Sequence, residues 1–288
     1  TGWTMALAMA IAGILNFFWA VSYTDMVKIY PSCGSHYAYI RGSLGSIPGF
    51  LLGFGVLPTY NFCCGAHVIV FGTAFQLLWD IPFWIIALVY CIVIVLVSIR
   101  GISLTSWVAA LMFLTECIII LCVSYSAIKG TWPLWSEMVP KFLWPQAPFT
   151  MSAVMFASVL SVYNYIGFAS ITSLVEESSP DLVAKAMNWS IAIVILVYVI
   201  ALVAVPLVFA SYTDIAASDT AYMDAVTILW DRYWPIGLVG VLLSTFTCSL
   251  ACINTAARMM YDMARDGCLP KWFAKIHKRY QTPWSGLV

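Results

Sequence analysis

Few residues of this chain carry chemistry, and most of those sit in apolar surroundings. Glu116, in the run LMFLTECIIIL, is the only acid well inside a stretch long enough to span a membrane. A charge at the bilayer centre costs about 3 kcal/mol on insertion scales, so such a carboxyl faces protein and is paired or protonated. That makes Glu116 a candidate for proton coupling or for pairing with a cation; a protonated carboxyl bonded to a neighbouring helix fits the same position. His67 follows Asn61 and Cys64 at intervals of three residues and forms a polar stripe on one helical face. A core histidine with its bonds satisfied explains it as readily as a coupling or gating role. Ser244, Thr247, Ala251 and Asn254 make a second small, polar stripe, suited to solute contact or to close helix packing.

The most pointed stretch is YNYIGFASITSLVEESSP, Tyr163–Pro180, at the end of an uncharged segment running from Lys141 to Glu176. It places Asn, Gly, Ser and Thr where lipid-facing sequence would carry Leu and Val. Gly167 permits a non-helical turn at little steric cost, and Asn164 tends to bond local backbone rather than continue a helix. Backbone leaves the helix at membrane depth only where protein or a watery cavity covers it. The half-helix ends at such a break carry partial charge that can hold a solute. A glycine that merely lets two helices approach closely is the competing reading, and the local sequence leaves both open.

These residues need a membrane-embedded framework. The chain has 288 residues, 62% hydrophobic and 9% charged, against about 25% charged in a soluble domain. A spanning helix takes roughly 20 apolar residues. Seven segments qualify, at approximately 3–23, 48–76, 82–99, 103–128, 151–175, 189–210 and 234–257, with another starting near Trp284. Lys28, Arg41, Arg100, Lys185, Arg258, Arg265, Lys271, Lys275, Lys278 and Arg279 fall in alternate loops, which are therefore expected in the cytosol. Thr1 then lies outside, which predicts a preceding helix and a longer parent protein. Trp132, Trp135 and Trp144 suit an interfacial belt. Asp214, Asp219, Asp224 and Asp231 read as solvated loop acids.

Several classes are excluded or disfavoured. Zero net charge argues against a nucleic-acid partner. Of the nine cysteines, seven lie in apolar runs and read as small buried hydrophobes. Cys248 and Cys252 share a helical face, but no further ligands join them as zinc requires. There is no Ser-His-Asp grouping and no Gly-x-x-x-x-Gly-Lys-Ser/Thr loop, so no enzyme and no ATP-driven pump is expected. Asn188-Trp-Ser190 fits a glycosylation acceptor but sits at a cytosolic boundary.

Three stretches resemble the amino acid–polyamine–organocation permease superfamily, most closely its cationic amino acid transporter and related bacterial permease branch. Residues 163–180 are similar to that superfamily's sixth helix, in which an aromatic-rich stretch leads to Ile/Val-Gly-Phe and then Glu-Glu. Residues 23–39, YTDMVKIYPSCGSHYAY, resemble the loop after its second helix. Residues 258–283, RMMYDMARDGCLPKWFAKIHKRYQTP, resemble the loop after its eighth. The resemblance covers the whole chain, as helices two to eight and the start of nine. It implies an all-α multi-pass bundle, part of an inverted-repeat, leucine-transporter-like fold in a single transmembrane domain. It implies secondary transport or exchange of amino acids or related organic cations by alternating access. Substrate contacts would come from Tyr163, Asn164, Tyr165, Ile166, Gly167 and Phe168, with Asn254 from the polar stripe. Ala169 stands where many relatives carry an acid, Asp25 where Glu is usual, and Thr115 where some members carry a coupling lysine. Thr115, Glu116 and His67 are thus the coupling candidates, for H+ or Na+. Glu176 and Glu177, with the basic residues 258–279 and Lys185, could pair as an inner gate or remain solvated charges. No cofactor or metal is expected. The partners are a small-molecule substrate and the lipid bilayer, the plasma membrane above all. An amino acid sensor retaining the fold is the alternative, and an ion channel a third reading.

Overall fold

The computed structural model describes residues 3–137, 151–165, 167–209, 211–218 and 220–287. Ile166, Trp144 and Asp219, singled out above, lie outside these residues. The described residues contain helices and no strand. In order they are α1 (Trp3–Ile29), α2 (His36–Leu44), α3 (Ser46–Gln76), α4 (Phe83–Ile99), α5 (Ile102–Thr131), α6 (Met151–Val162), α7 (Pro180–Ala204), α8 (Tyr212–Ala217), α9 (Ala221–Trp230) and α10 (Trp234–Arg265). Two 3₁₀ stretches, Tyr163–Tyr165 and Phe168–Glu177, carry the chain on from α6.

Six helical stretches among the described residues are long and apolar enough to cross a membrane. They are Thr4–Ile29, Ser46–Gln76, Leu104–Glu137, Val154–Glu177, Pro180–Val208 and Ala221–Arg265, while α4 is a shorter apolar helix. This is a multi-pass membrane protein. α3 has 31 residues; at ~1.5 Å per residue it is about 46 Å long, more than the ~30 Å hydrocarbon core, and tilt absorbs such an excess. Its Ile47, Leu51, Phe54 and Phe62 side chains are exposed, as a lipid-facing surface requires.

Two elements escape a hydropathy reading. α2 is a two-turn helix in a loop whose Arg41 and Ser43 interrupt any apolar pattern. It ends at Gly45, whose φ of 99° suits glycine alone. α7 begins well before its apolar run. Ser179 Oγ accepts the Leu182 N–H at 3.3 Å, Pro180 opens the first turn, and Asp181 lies beside the positive helix end.

The chain divides into two compact units. The first comprises Thr1–Trp19, Thr115–Ile166 and Trp189–Gly240. Its core packs Ile119, Val123 and Val226 with Tyr222, Leu229, Trp230 and Trp234. Trp230 Nε1–H donates to Ser126 Oγ at 3.2 Å, fastening α9 to α5. The second comprises Ala20–Leu114, Gly167–Asn188 and Val241–Val288. One of its clusters joins Tyr37, Leu57 and Tyr60 to Ala256, Met259 and Met263, and so holds α2 and α3 on α10. Another joins Tyr90 and Ile94 of α4 to Phe246 and Leu250 of α10. There Tyr90 O–H reaches the Thr245 carbonyl at 2.9 Å and Ser249 Oγ at 2.8 Å.

Candidate functional site

The apolar helix that starts at Met151 loses its α-helical form after Val162. Gly167 has φ 149° and ψ −22°, in the left-handed half of backbone space. A Cβ there would meet no neighbouring atom, so the demand for glycine comes from the backbone alone. The following segment, Phe168–Glu177, is 3₁₀ over ten residues. Runs beyond three or four residues are uncommon because 3₁₀ bond geometry is poorer, and they mark hinges or strain. Side chains reinforce this one: Thr172 O–H donates to the Ala169 carbonyl at 2.6 Å and Ser173 O–H to the Ser170 carbonyl at 2.7 Å. Both bonds reach three residues back, which favours the tight turn.

The residues before and after Gly167 point to different surroundings. Tyr163 and Asn164 are exposed. Tyr165 is buried in the first unit, where its hydroxyl donates to the Met9 carbonyl at 3.1 Å and its ring lies 5.5 Å from that of Tyr198. Gly13 leaves room for this, because a Cβ there would run into Ile195 and the Tyr165 hydroxyl. Phe168 is buried in the second unit and meets Tyr23 edge-on at 5.9 Å.

One end of the second unit holds a connected set of charges. Arg258 on α10 is 3% exposed and pairs with Glu177 at 2.7 Å. Arg265 pairs with Glu176 at 3.0 Å and with the buried carboxylate of Asp262 at 2.7 Å. Asp262 also accepts from Ser32 Oγ at 2.6 Å, and Glu176 accepts the Cys33 N–H at 3.2 Å. A Cβ on Gly34 would overlap the Asp262 carboxylate, so the loop can lie this close only without one. Arg41 and the Tyr37 hydroxyl both engage Asp266. Loop 30–35 and α2 are thereby tied to the end of the 3₁₀ segment and to the end of α10. Burial, and the nearby Asp262 and Glu176 carboxylates, push the Cys33 thiol well above its ordinary range. Cys33, Glu176 and Asp262 bring possible metal-ligand atoms within 4.8 Å of one another. The cation bonded to both of these carboxylates is the Arg265 guanidinium.

The other candidates lie apart from this network or support it. Asn254 is buried on α10; its amide donates to Ser98 Oγ at 3.0 Å and to the Leu250 carbonyl at 2.7 Å, and its own oxygens face Arg258 at 3.4 Å. It therefore anchors α10 to α4 and braces the buried arginine. His67 is half-buried on α3, and its Nδ1 has no hydrogen-bond partner among the described residues. Thr115 is exposed, and Glu116 half-buried, on the part of α5 belonging to the first unit. Glu116 lies within electrostatic reach of Tyr222 on α9. Sequence reading missed Ser32, Ser35, Asp262 and Tyr165 as structural ties. The local signal for Ser32 and Ser35 was the short loop SCGSH between two helices, too polar for a span and too small for a domain; Asp262 lies on α10 and had no such signal.

A family model described as amino acid permease matches residues 2–288. Among curated relatives, the chain is similar to a low-affinity putrescine importer of Escherichia coli (strain K12), 23% identical over 98% of this chain and 64% of the relative. It is similar to a branched-chain amino acid permease of Bacillus subtilis (strain 168), 21% identical over 97% of this chain and 64% of the relative. A chloroplastic cationic amino acid transporter of Arabidopsis thaliana is 23% identical over 98% of this chain and 52% of its own length. The chain thus spans between 52% and 64% of the length of these relatives.

Proposed function

The chain belongs to the amino acid permease family, and on that premise we propose that it carries amino acids or related organic cations across a membrane by alternating access. The observation that carries this reading is the interruption of an apolar, membrane-length helix at Gly167, with a ten-residue 3₁₀ segment beyond it. Around such a break the backbone ladder is incomplete, and the freed N–H and C=O groups are available to a solute. Tyr163, Asn164, Ile166, Gly167 and Phe168 are the proposed contact region, with Tyr165 fixing the segment that precedes the turn. The named relatives, which include a putrescine importer and an amino acid permease, support this substrate class.

The ion pairs of Arg258 and Arg265 with Glu177 and Glu176 form an inner gate, closed in this conformation. The energetic logic follows from burial. Arg258 is almost wholly removed from water, and a buried charge is tolerated only while paired. Opening the cytosolic side therefore requires the arginine to be solvated again or re-paired. Glu116 is the proposed coupling residue, exchanging a proton as the outer side changes state. No covalent step and no cofactor enter this scheme, and the plasma membrane is the proposed location.

The test is uptake of a radiolabelled panel of amino acids, with arginine and putrescine included, into vesicles carrying the intact protein. It is run at two pH values, with and without sodium. Saturable uptake of a panel member is expected; uptake of none, by protein shown to be folded and inserted, overturns the reading.

A further inference from the structure

We propose that His36 is a positioning residue for the broken helix: a neutral imidazole, protonated on Nδ1, that fixes the Ala169 carbonyl through a relay of two hydroxyls, Ser35 and Thr172. The proposal rests on the transport reading for its role and on geometry for its existence. Three consecutive contacts connect these groups within the second unit. His36 Nδ1 lies 3.0 Å from Ser35 Oγ, Ser35 Oγ lies 2.6 Å from Thr172 Oγ1, and Thr172 Oγ1 lies 2.6 Å from the Ala169 oxygen.

Counting protons orders the relay. Each contact needs one proton, and a serine and a threonine supply one each. The Ala169 carbonyl supplies none, so Thr172 must donate to it. Thr172 then has only lone pairs to offer Ser35, so Ser35 donates to Thr172. Ser35 in turn has only lone pairs to offer His36, so the third proton sits on Nδ1. The chain reads His36 Nδ1–H to Ser35, Ser35 O–H to Thr172, Thr172 O–H to Ala169. With the proton on Nε2 instead, two oxygens or an oxygen and a nitrogen would face each other at hydrogen-bond distance with nothing between them. The approach of Ser35 Oγ to the Ala169 oxygen is longer, at 3.5 Å, and adds no competing donor. The Tyr39 hydroxyl, buried beside Thr172, brings its own proton and leaves the count unchanged.

Two further features mark the relay as built. Ser35 is fully buried and holds φ 51° with ψ −122°, a region sparsely populated by residues other than glycine. Such a conformation persists only where its surroundings over-determine it. His36 opens α2 and lies under the edge of Tyr23, with ring centroids 5.4 Å apart. Burial there lowers its pKa to about 4, which keeps the ring neutral at cytosolic pH. The relay ends on the first turn of the 3₁₀ segment, two residues beyond Gly167. It therefore ties the cytosolic loop to the tight helical form that the Thr172 back-bond favours.

The experiment uses the intact protein in lipid, and has two arms. Nitrogen-15 NMR of labelled histidine, assigned by the loss of one signal in His36→Asn, reads the tautomer directly. Uptake of the panel is then compared for His36→Asn, His36→Gln and Ser35→Ala. An asparagine amide places an N–H where Nδ1 stands, whereas a glutamine amide reaches the Nε2 position. His36→Asn is expected to keep maximal uptake within about two-fold of the parent, while His36→Gln and Ser35→Ala lose about five-fold or more, the rate equivalent of one neutral hydrogen bond. A proton found on Nε2, or an asparagine variant no better than the glutamine one, overturns the proposal. If the parent protein transports nothing on the panel, the transport reading fails, and the NMR arm still decides whether the relay exists.

Discussion

Removing the charge from Glu177 tests the inner gate most directly. In this structure the Arg258 guanidinium is 3% exposed and Glu177 is 37% exposed. A fully exposed pair contributes about 0.2–1 kcal/mol, and breaking a fully buried one costs about 3–5 kcal/mol. This pair lies between those limits, because solvent reaches the glutamate but not the arginine. Glu177→Gln should therefore weaken the closed state by about 2 kcal/mol, because, among the described residues, a neutral amide oxygen and the 3.4 Å contacts to Asn254 then replace the carboxylate as partners of the buried cation. At ~1.4 kcal/mol per decade, that raises the open fraction about 30-fold. Cys33 reports the change. It is 5% exposed, and its thiol is held protonated by burial and by Asp262 and Glu176. The thiolate attacks maleimide, so labelling proceeds only when the loop opens and the thiol regains an ordinary pKa. In a variant with Cys33 as its single cysteine, Glu177→Gln should label about 30-fold faster from the cytosolic side. A rate within two-fold of the parent would refute the argument that Arg258–Glu177 holds this side closed.

Three other outcomes follow from the same geometry. Gly167→Leu places a side chain on a backbone with φ 149°, and is expected to abolish uptake while surface expression, read by biotinylation, persists. Tyr165→Phe deletes one hydrogen bond to the Met9 carbonyl; it should lower the thermal unfolding midpoint in keeping with a loss of about 1 kcal/mol and leave KM unchanged, and an altered KM would place Tyr165 at the substrate instead. For His36, burial lowers the pKa from 6.5 to about 4. A group depressed in the folded state contributes its full stability above the unfolded value and loses it as pH falls toward the folded one. Stability should thus decline by up to about 3 kcal/mol between pH 6.5 and 4, and His36→Asn should flatten that part of the pH–stability curve.

The helical, membrane-spanning character of the chain was legible because it depends on composition and on the length of apolar runs, both local properties. The family was legible because its motifs are local too. That Glu176 and Glu177 could pair with the basic residues 258–279 was legible too, but not that they do, nor with which of them. Their partners lie 89 and 81 residues away, and which arginine meets which glutamate depends on the register of α10 against the 3₁₀ segment. The same holds for Asn254, whose spacing suits either a solute or a helix neighbour; only its bond to Ser98 shows the neighbour. Tyr163 and Tyr165 could not be told apart, since a change from the α to the 3₁₀ period alters which of two aromatic residues turns inward. α2 stayed hidden because nine residues of mixed polar, aromatic and aliphatic type give no amphipathic signal strong enough to read.

Gly167 and Ser35 sharpen the point, because both occupy backbone conformations that favour glycine. At 167 the residue type advertises the conformation, since glycine is the residue a break of this kind selects. At 35 the chain meets a comparable demand with serine, and nothing in the letter announces it. The hydroxyl explains the choice: glycine would relax the backbone but could not bridge His36 to Thr172. A strained serine that joins two segments more than 130 residues apart persists only where its surroundings over-determine it. Its conformation, which costs about 1–3 kcal/mol, is held by the packing of the second unit around it, to which the bond to Thr172 contributes.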